Sequence, residues 1–248
     1  MEVLAGYTLL QIIVAALATL GAAFVRGLAG FGMAILLVPV LALALPPVEA
    51  VLVTNFLAVF IGLSEMRRLV SEAEATARII SAWVALATAP GLMVLAVTPP
   101  DLARLLIALV ALAAFAAVLM PSRTPVMPGR AATAGTGIAA GLLTGFAGMP
   151  GVPVVPFYVR RAVPRAVAKA SMLLIFTVAA AAGLASGTAI GALEWQLALL
   201  AVLLFPLVLL GNWLGSLAFG RVSDPVWRGF VVLVLGAAAL AALGKLLT

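Results

Sequence analysis

Residues 27–33 read GLAGFGM and residues 145–151 read GFAGMPG, and a Val-Pro pair follows each stretch, at 38–39 and at 155–156. The apolar runs that continue from these glycines, 31–45 and 151–159, are short. As helices they would be about 20 Å and about 13 Å long, whereas a bilayer core is about 30 Å thick. Short, glycine-interrupted apolar segments in corresponding places are typical of broken or re-entrant membrane helices.

The composition of the whole chain agrees with a membrane location. Of its 248 residues 66% are hydrophobic and only 9% are charged, and the mean hydropathy is +1.32. A soluble domain carries about 45–50% apolar and about 25% charged residues. The apolar runs are continuous, which excludes a membrane β-barrel. We therefore predict an all-α polytopic membrane protein.

The residue types that are missing exclude several kinds of chemistry. The chain has no cysteine and no histidine, so disulfides, thiolate sites and the commonest metal ligand are all absent. We accordingly predict no cofactor, no metal site and no enzyme activity. The net charge of +6 indicates basic cytoplasmic loops rather than a nucleic-acid partner.

Gly, Pro and charged residues divide the chain into ten candidate membrane segments. They are roughly 7–25, 31–45, 48–63, 78–98, 102–120, 131–147, 151–159, 167–185, 193–219 and 226–247. Segments 1–2 and 6–7 either cross the membrane twice each or form V-shaped hairpins that enter and leave on one side. The expected number of membrane segments is therefore about eight to ten.

The two halves of the chain resemble each other. The glycine stretches, the Val-Pro pairs, Pro47 with Pro164 and Thr54 with Ser171 recur at separations of 117 or 118 residues. Further on, Gly91 parallels Gly211, with small gaps. The order and spacing of these matches predict an internal duplication, with repeats 1–120 and 131–248 joined by the linker 121–130.

The distribution of charge predicts the relative orientation of the repeats. Loops 64–78, 121–130, 159–169 and 220–228 hold eleven of the fourteen Lys and Arg residues, and loops 46–49, 98–101 and 186–194 hold none. By the positive-inside rule the first set is cytoplasmic. Each matched loop is basic in one half and bare in the other, as opposite orientation requires. We predict inverted repeats in a cell membrane, with the N-terminus outside and the linker in the cytoplasm.

These residues also resemble a known family. The Gly-x-x-Gly-Phe-Gly stretch with its Val-Pro pair, its weaker copy in the second half, the stretch 211–215 (GNWLG) and Arg221 and Arg228 are similar to the sulfite exporter TauE/SafE family. The similarity extends over essentially the whole chain. It implies a transporter of small sulfur-containing anions, such as sulfite or organosulfonates, that usually exports them.

The glycine stretches are the first candidates for an anion site. Helix N-termini favour anions because their N–H groups are free and their dipole is positive. We predict a midplane site formed by Gly30, Phe31, Gly32 and by residues 148–151 (Gly148, Met149, Pro150 and Gly151). The alternative is that these glycines only permit close helix packing.

Four polar side chains complete the predicted site. In a V-shaped hairpin Arg26 lies deep and pairs with the anion; in a spanning helix it only anchors the interface. Thr54, Asn55 and Ser171 lie in apolar segments and either bind the anion or bond between helices.

The sequence therefore predicts a secondary transporter that works by alternating access. Its expected partners are a small anion and the lipid bilayer, and the candidate coupling ion is a proton. The oligomeric state is not predicted. Two alternatives are a passive anion channel and an accessory protein for the assembly of another membrane complex.

Overall fold

The structure is a computed structural model, and it describes residues 2–4, 6–29, 32–119, 128–161, 163–218 and 224–247. Over these residues it has ten helices and one small antiparallel pair of strands. The strands are β1 (Glu2–Leu4) and β2 (Tyr7–Thr8). The helices are α1 (Leu9–Ala29), α2 (Met33–Ala44), α3 (Pro47–Glu72), α4 (Ala75–Val97), α5 (Pro100–Leu119), α6 (Arg130–Ala147), α7 (Gly151–Val159), α8 (Arg165–Ala189), α9 (Trp195–Ala218) and α10 (Asp224–Leu247).

Each predicted segment corresponds to one helix, so the all-α prediction is confirmed. Within the described residues, five helices are long and apolar enough to cross a membrane: Leu9–Leu28, Pro47–Arg67, Ala75–Val97, Ala166–Ala189 and Trp195–Ala218. Their large side chains are often exposed; Leu86 and Leu17, for example, are 70% and 65% exposed. Outward-facing leucines are expected where the surrounding solvent is lipid. The chain is a multi-pass membrane protein.

Two helices are too short to cross a bilayer, as predicted. The helix α2 has 12 residues and α7 has 9, which correspond to about 18 Å and about 14 Å. Each follows a glycine with positive φ, Gly32 or Gly148. The left-handed conformation breaks the helix there, and glycine adopts it without steric cost.

The chain forms two compact units, and each one combines elements from both halves of the sequence. The first contains residues 1–57, 98–115 and 194–248. In it α1 packs along α9, and α2 contacts α1 and α10. A Cβ at Gly211 would overlap Leu20, and one at Gly215 would overlap Phe24 and Leu28. Residues later in α9 contact residues later in α1, so the two helices run parallel, and their backbones are in direct contact.

The second unit contains residues 58–97 and 116–193. Here α6 packs along α4, which also contacts α8. A Cβ at Gly137 would overlap Ile80, and one at Gly145 would overlap Thr88 and Leu92. The pair α4 and α6 therefore also runs parallel with direct backbone contact.

The two helix pairs share one contact register. Gly91 abuts Leu142 in the α4–α6 pair, and Gly215 abuts Phe24 in the α1–α9 pair. If the halves are repeats, these contacts match Gly91 with Gly215, whereas the sequence alone matched it with Gly211. A shift of four residues is about one helical turn and keeps the same face of the helix. For this reason glycine spacing alone does not distinguish the two matches.

Candidate functional site

In the first unit α1 and α2 form a V-shaped hairpin. Gln11, in the first turns of α1, donates from Nε2 to the carbonyl oxygen of Ala44, the last residue of α2, at 2.9 Å. The start of α1 and the end of α2 therefore lie at the same level. Of the two arrangements considered for this pair of segments, the structure has the hairpin.

The geometry of this hairpin places the N-terminus of α2 at an intermediate depth. The candidate span Leu9–Leu28 has 20 residues and is about 30 Å long. The helix α2 begins its return from the glycine turn and is about 18 Å long. Because its C-terminus lies level with the start of α1, its N-terminus is at most about 18 Å from that end of the span.

In the second unit α6 and α7 form an equivalent hairpin. The helix α6 runs parallel to α4, with Gly137 beside Ile80. After the turn, α7 leads to Arg161, whose Nη1 lies 2.6 Å from Oε1 of Glu74, immediately before α4 begins. The hairpin thus starts and ends at the N-terminal end of α4.

The N-terminus of α7 also lies at an intermediate depth. A Cβ at Gly151 would lie 3.6 Å from Cζ of Phe176. Phe176 is ten residues into the 24-residue candidate span Ala166–Ala189, or about 15 Å along it. The length of α7 gives a similar depth, because its C-terminal end lies at the N-terminal end of α4 and its N-terminus is about 14 Å away along the helix.

The first turn of α2 presents free N–H groups at this depth. Its N-cap is Gly32, with φ 94°, and no side chain caps the helix there. The N–H groups of Met33, Ala34 and Ile35 have no intrahelical acceptor, as in any helix. Three backbone donors and the positive end of the helix dipole therefore point out of α2.

The first turn of α7 has fewer donors. In the turn before α7, two backbone N–H groups already donate hydrogen bonds within the protein: Gly148 donates to Thr144 O (2.8 Å) and Met149 donates to Leu143 O (3.1 Å). Pro150 is the N-cap and provides no side-chain cap. Of the first three helical residues, 151–153 (Gly-Val-Pro), the third is a proline without an N–H. Two donors remain.

The C-terminal end of α2 is held by side chains. The carbonyl oxygens of residues 42–44 accept hydrogen bonds from Arg104 Nε (2.7 Å), Lys245 Nζ (2.8 Å) and Gln11 Nε2 (2.9 Å), respectively. Arg104 also pairs with Asp101, at 2.6 Å. Two cations at the negative end of the dipole stabilise the short helix.

The C-terminal end of α7 is held by an ion pair instead. The side chains of Arg161 and Glu74 are only 13% and 18% exposed. The guanidinium of Arg161 lies 5.5 Å and 5.9 Å from the ring centroids of Phe157 and Tyr158, close enough for cation–π attraction. The backbone N–H of Glu74 donates to Ser171 Oγ at 3.1 Å.

The remaining predicted site residues are distributed as follows. Arg26 is half-buried in the last turn of α1, and Gly30 and Phe31 lie outside the described residues. Thr54 and Asn55 are buried on α3, at 1% and 2% exposure. The hydroxyl of Thr54 donates to the carbonyl of Ala50 at 2.9 Å.

The structure therefore groups the predicted residues by unit. Gly32, Thr54 and Asn55 belong to the first unit, and residues 148–151 and Ser171 belong to the second. Ser171 contacts the backbone of Glu74 at the level of the ion pair. It does not repeat the intrahelical bond of Thr54, its match in the sequence.

The start of α1 is tied to α3 by a further polar contact. Tyr7 donates from its hydroxyl to Oε2 of Glu49 at 3.2 Å. Burial, reinforced by the neighbouring Glu49 carboxylate, raises the pKa of Tyr7 above its ordinary value. Tyr7 therefore remains a neutral hydrogen-bond donor over the physiological pH range.

Sequence reasoning did not identify the contacts that close the two hairpins. Arg161 was taken only as a loop cation, and Gln11, Arg104 and Lys245 had no predicted role. One signal was available: Arg104 and Lys245 are two of the three cations outside the predicted cytoplasmic loops. A cation outside the cytoplasmic loops is expected to have a nearby acceptor, and for both residues the acceptor is a carbonyl at the end of α2.

Comparison with known proteins identifies the family. The family model "Sulfite exporter TauE/SafE" matches residues 15–242, nearly the whole chain. Comparisons with the curated proteins and with the solved structures give no match. The family match covers both glycine turns and all ten helices, in whole or in part, and the chain belongs to the sulfite exporter TauE/SafE family of membrane transporters.

Proposed function

We propose that this protein is a secondary transporter that exports sulfite, organosulfonates or related small sulfur-containing anions from the cell. The observation that carries the proposal is that each unit has a short helix whose uncapped N-terminus lies at an intermediate depth of the spans around it. Such N-termini attract anions without placing a full positive charge in the bilayer. Family membership supports the sulfur chemistry of the substrate.

The proposed site residues are those of the two glycine turns, together with Arg26, Thr54, Asn55 and Ser171. The turn of the first unit leads to the N–H groups that begin α2, and the turn at residues 148–151 leads to the two remaining N–H groups of α7, those of Gly151 and Val152. Arg26, at the end of α1, supplies charge-assisted hydrogen bonds to an oxygen pair. Each turn is tested separately by substitution.

We also propose that the two halves are inverted repeats and that transport follows alternating access in the cell membrane. The common register of the α1–α9 and α4–α6 pairs supports a duplication, and the loop charges support the inversion. The native chain has no cysteine, so single cysteines report topology directly. In intact cells, a membrane-impermeant maleimide is expected to label Pro99→Cys and not Gly129→Cys; labelling of both from outside would contradict the inversion.

Flux in proteoliposomes tests the function. With equal sulfite or methanesulfonate on both sides, an imposed pH gradient is expected to drive accumulation against the anion gradient. Movement only down a gradient would indicate a passive channel, and no movement of any anion by folded protein would favour an accessory role.

A pair of glycine substitutions connects the flux to the proposed site. Gly32→Ala places a Cβ at φ 94° in the turn before α2, and Gly191→Ala places one at φ 70° in the exposed turn after α8. Both carry a strain of about 1–2 kcal/mol. We expect Gly32→Ala to reduce flux at least tenfold and Gly191→Ala to leave it within twofold. Equal effects of the two would indicate general instability.

A further inference from the structure

Asn55 has a buried donor that nothing in its unit satisfies. Its side chain is 2% exposed, and its Nδ2 atom has no hydrogen-bond partner among the described residues. Asn55 lies eight residues after Pro47 in the 21-residue candidate span Pro47–Arg67, or about 12 Å along it. A primary amide at that depth is far from water on its own helix.

The buried residues next to Asn55 along α3 are apolar or already bonded. Five residues of the same stretch of α3 are at most 1% exposed: Val51, Leu52, Val53, Thr54 and Leu57. The one polar residue among them, Thr54, uses its hydroxyl proton on the carbonyl of Ala50. Burying an amide without a partner is costly, and buried polar groups are nearly always paired. The missing partner is therefore a feature to be explained.

Three other helical residues, Thr19, Ser81 and Tyr158, have buried hydroxyls without partners among the described residues, but they are weaker candidates. Tyr158 lies beside the polar side chains of Glu74 and Ser171. A helical hydroxyl can rotate to bond the carbonyl four residues earlier, as Thr54, Thr88 and Thr144 do. The amide group of Asn55 makes no such bond. Its two N–H groups need an acceptor from outside α3.

We infer that Asn55 Nδ2 binds an oxygen of the transported anion, and that this donor favours singly charged sulfonate-type anions over doubly charged sulfate. The inference rests on the proposed function and assigns a substrate class to it. The Nδ2 group only donates, and sulfonate oxygens only accept. It is also uncharged, and the cost of moving an ion out of water grows with the square of its charge. Neutral donors therefore compensate one charge better than two.

The test is anion binding by the purified full-length protein in detergent, with methanesulfonate and sulfate as probes. Asn55→Leu removes the donor at nearly constant volume. Thr88→Val is the control, because it also replaces a buried polar side chain by an apolar one at nearly constant volume, and Thr88 lies outside the proposed site. We expect Asn55→Leu to raise the Kd for methanesulfonate by about tenfold to a hundredfold, the range for a hydrogen bond to a charged group. Thr88→Val should change this Kd by less than threefold, and the native protein should bind methanesulfonate more tightly than sulfate.

The stability of the ligand-free protein distinguishes binding from a structural role. Leucine has nearly the shape of asparagine and removes the free-energy cost of burying an amide without a partner. The Tm of Asn55→Leu without anion should therefore equal or exceed that of the native protein. A lower Tm with unchanged binding would show that Asn55 is structural and would overturn the inference. Asn55→Thr, whose hydroxyl can bond the carbonyl of Val51, is the second variant if Asn55→Leu does not fold. It should lose the same affinity.

The remaining outcomes separate this inference from the proposed function. If the native protein binds methanesulfonate and Asn55→Leu binds it equally well, the anion site exists and Asn55 is not part of it. If sulfate binds more tightly than methanesulfonate, the charge preference is wrong. If folded native protein binds no sulfur anion, the proposed function fails and the role of Asn55 fails with it.

Discussion

The α1–α2 hairpin and the α6–α7 hairpin have the same plan but different chemistry at their ends. Both consist of a long helix, a glycine turn and a short returning helix, and both long helices pack against a parallel partner in the same register. At the N-terminus, α2 offers three free N–H groups and α7 offers two. At the C-terminus, α2 is held by donors to its carbonyls and α7 by an ion pair.

This comparison separates what the common plan of the two hairpins requires from what each hairpin can change. Close helix contact and a left-handed glycine are geometric requirements, and both hairpins have them. The groups that close the hairpin and the number of free donors can differ, because several side chains satisfy the same end of a helix. The differences therefore predict which hairpin binds an anion more tightly and which is held more firmly.

The largest effects are expected where both hairpins share a geometric requirement. Gly27→Val and Gly145→Val each place side-chain atoms in the backbone of the partner helix, which cannot move aside as a side chain can. Each should destabilise the protein by at least about 3 kcal/mol or prevent folding, at the upper end of overpacking effects. Thermal unfolding in detergent measures both.

Two glycines of the same helices provide the controls. A Cβ at Gly21 or Gly135 would have nothing within 4 Å, so Gly21→Ala and Gly135→Ala should change stability by no more than about 1 kcal/mol. If Gly27→Val were tolerated and Gly145→Val were not, the two helix pairs would not be equivalent.

The next largest effect concerns the ion pair that closes the α6–α7 hairpin. Glu74→Gln and Arg161→Gln should each cost about 1–3 kcal/mol, less than a fully buried pair because both side chains retain some exposure. The double variant should cost less than the sum of the two. A coupling energy of zero in this cycle would show that each residue acts alone. Arg104→Gln, on α5 at the end of the other hairpin, should cost less, because Gln11 and Lys245 still bond the end of α2.

Much of the fold follows from the sequence because membrane helices are local. Continuous apolar runs must be helical in a bilayer. The glycine stretches predict where these helices are interrupted, and Gly32 and Gly148 adopt a left-handed conformation at the interruptions. Lengths of 12 and 9 residues then require that α2 and α7 stop inside a span. The hairpin arrangement remained one of two alternatives, since chain length alone allows either.

The contacts of the site were less predictable because they depend on tertiary distances. The repeat predicted that Thr54 and Ser171 play matched roles, yet one bonds within its helix and the other bonds to Glu74. The positive-inside rule predicts a cytoplasmic loop for Arg161, and it does not predict the carboxylate of Glu74 with which Arg161 pairs. Polar residues at matched positions thus share a depth without sharing partners.

A smaller effect should come from the difference in backbone donors. Pro153→Ala restores the third N–H of α7 and makes its first turn like that of α2. If the turn binds an anion, the affinity should rise by about fivefold, the value of one added hydrogen bond near 1 kcal/mol. Pro156→Ala, in the same helix but beyond its first turn, should leave the affinity unchanged. Equal gains from both would indicate that relief from proline, rather than the new donor, is responsible.

The smallest effect is expected at Lys245, which is exposed although its Nζ lies 2.8 Å from Leu43 O. Lys245→Met removes a charge from the end of α2, but Arg104 and Gln11 still bond the neighbouring carbonyls. The loss should be below about 0.5 kcal/mol and should diminish as salt is added, since exposed interactions with a helix dipole are weak and screened. Thermal unfolding at low and high ionic strength measures it. A loss as large as that of Arg161→Gln would mean that the two hairpins are closed equally firmly, by charge in both cases.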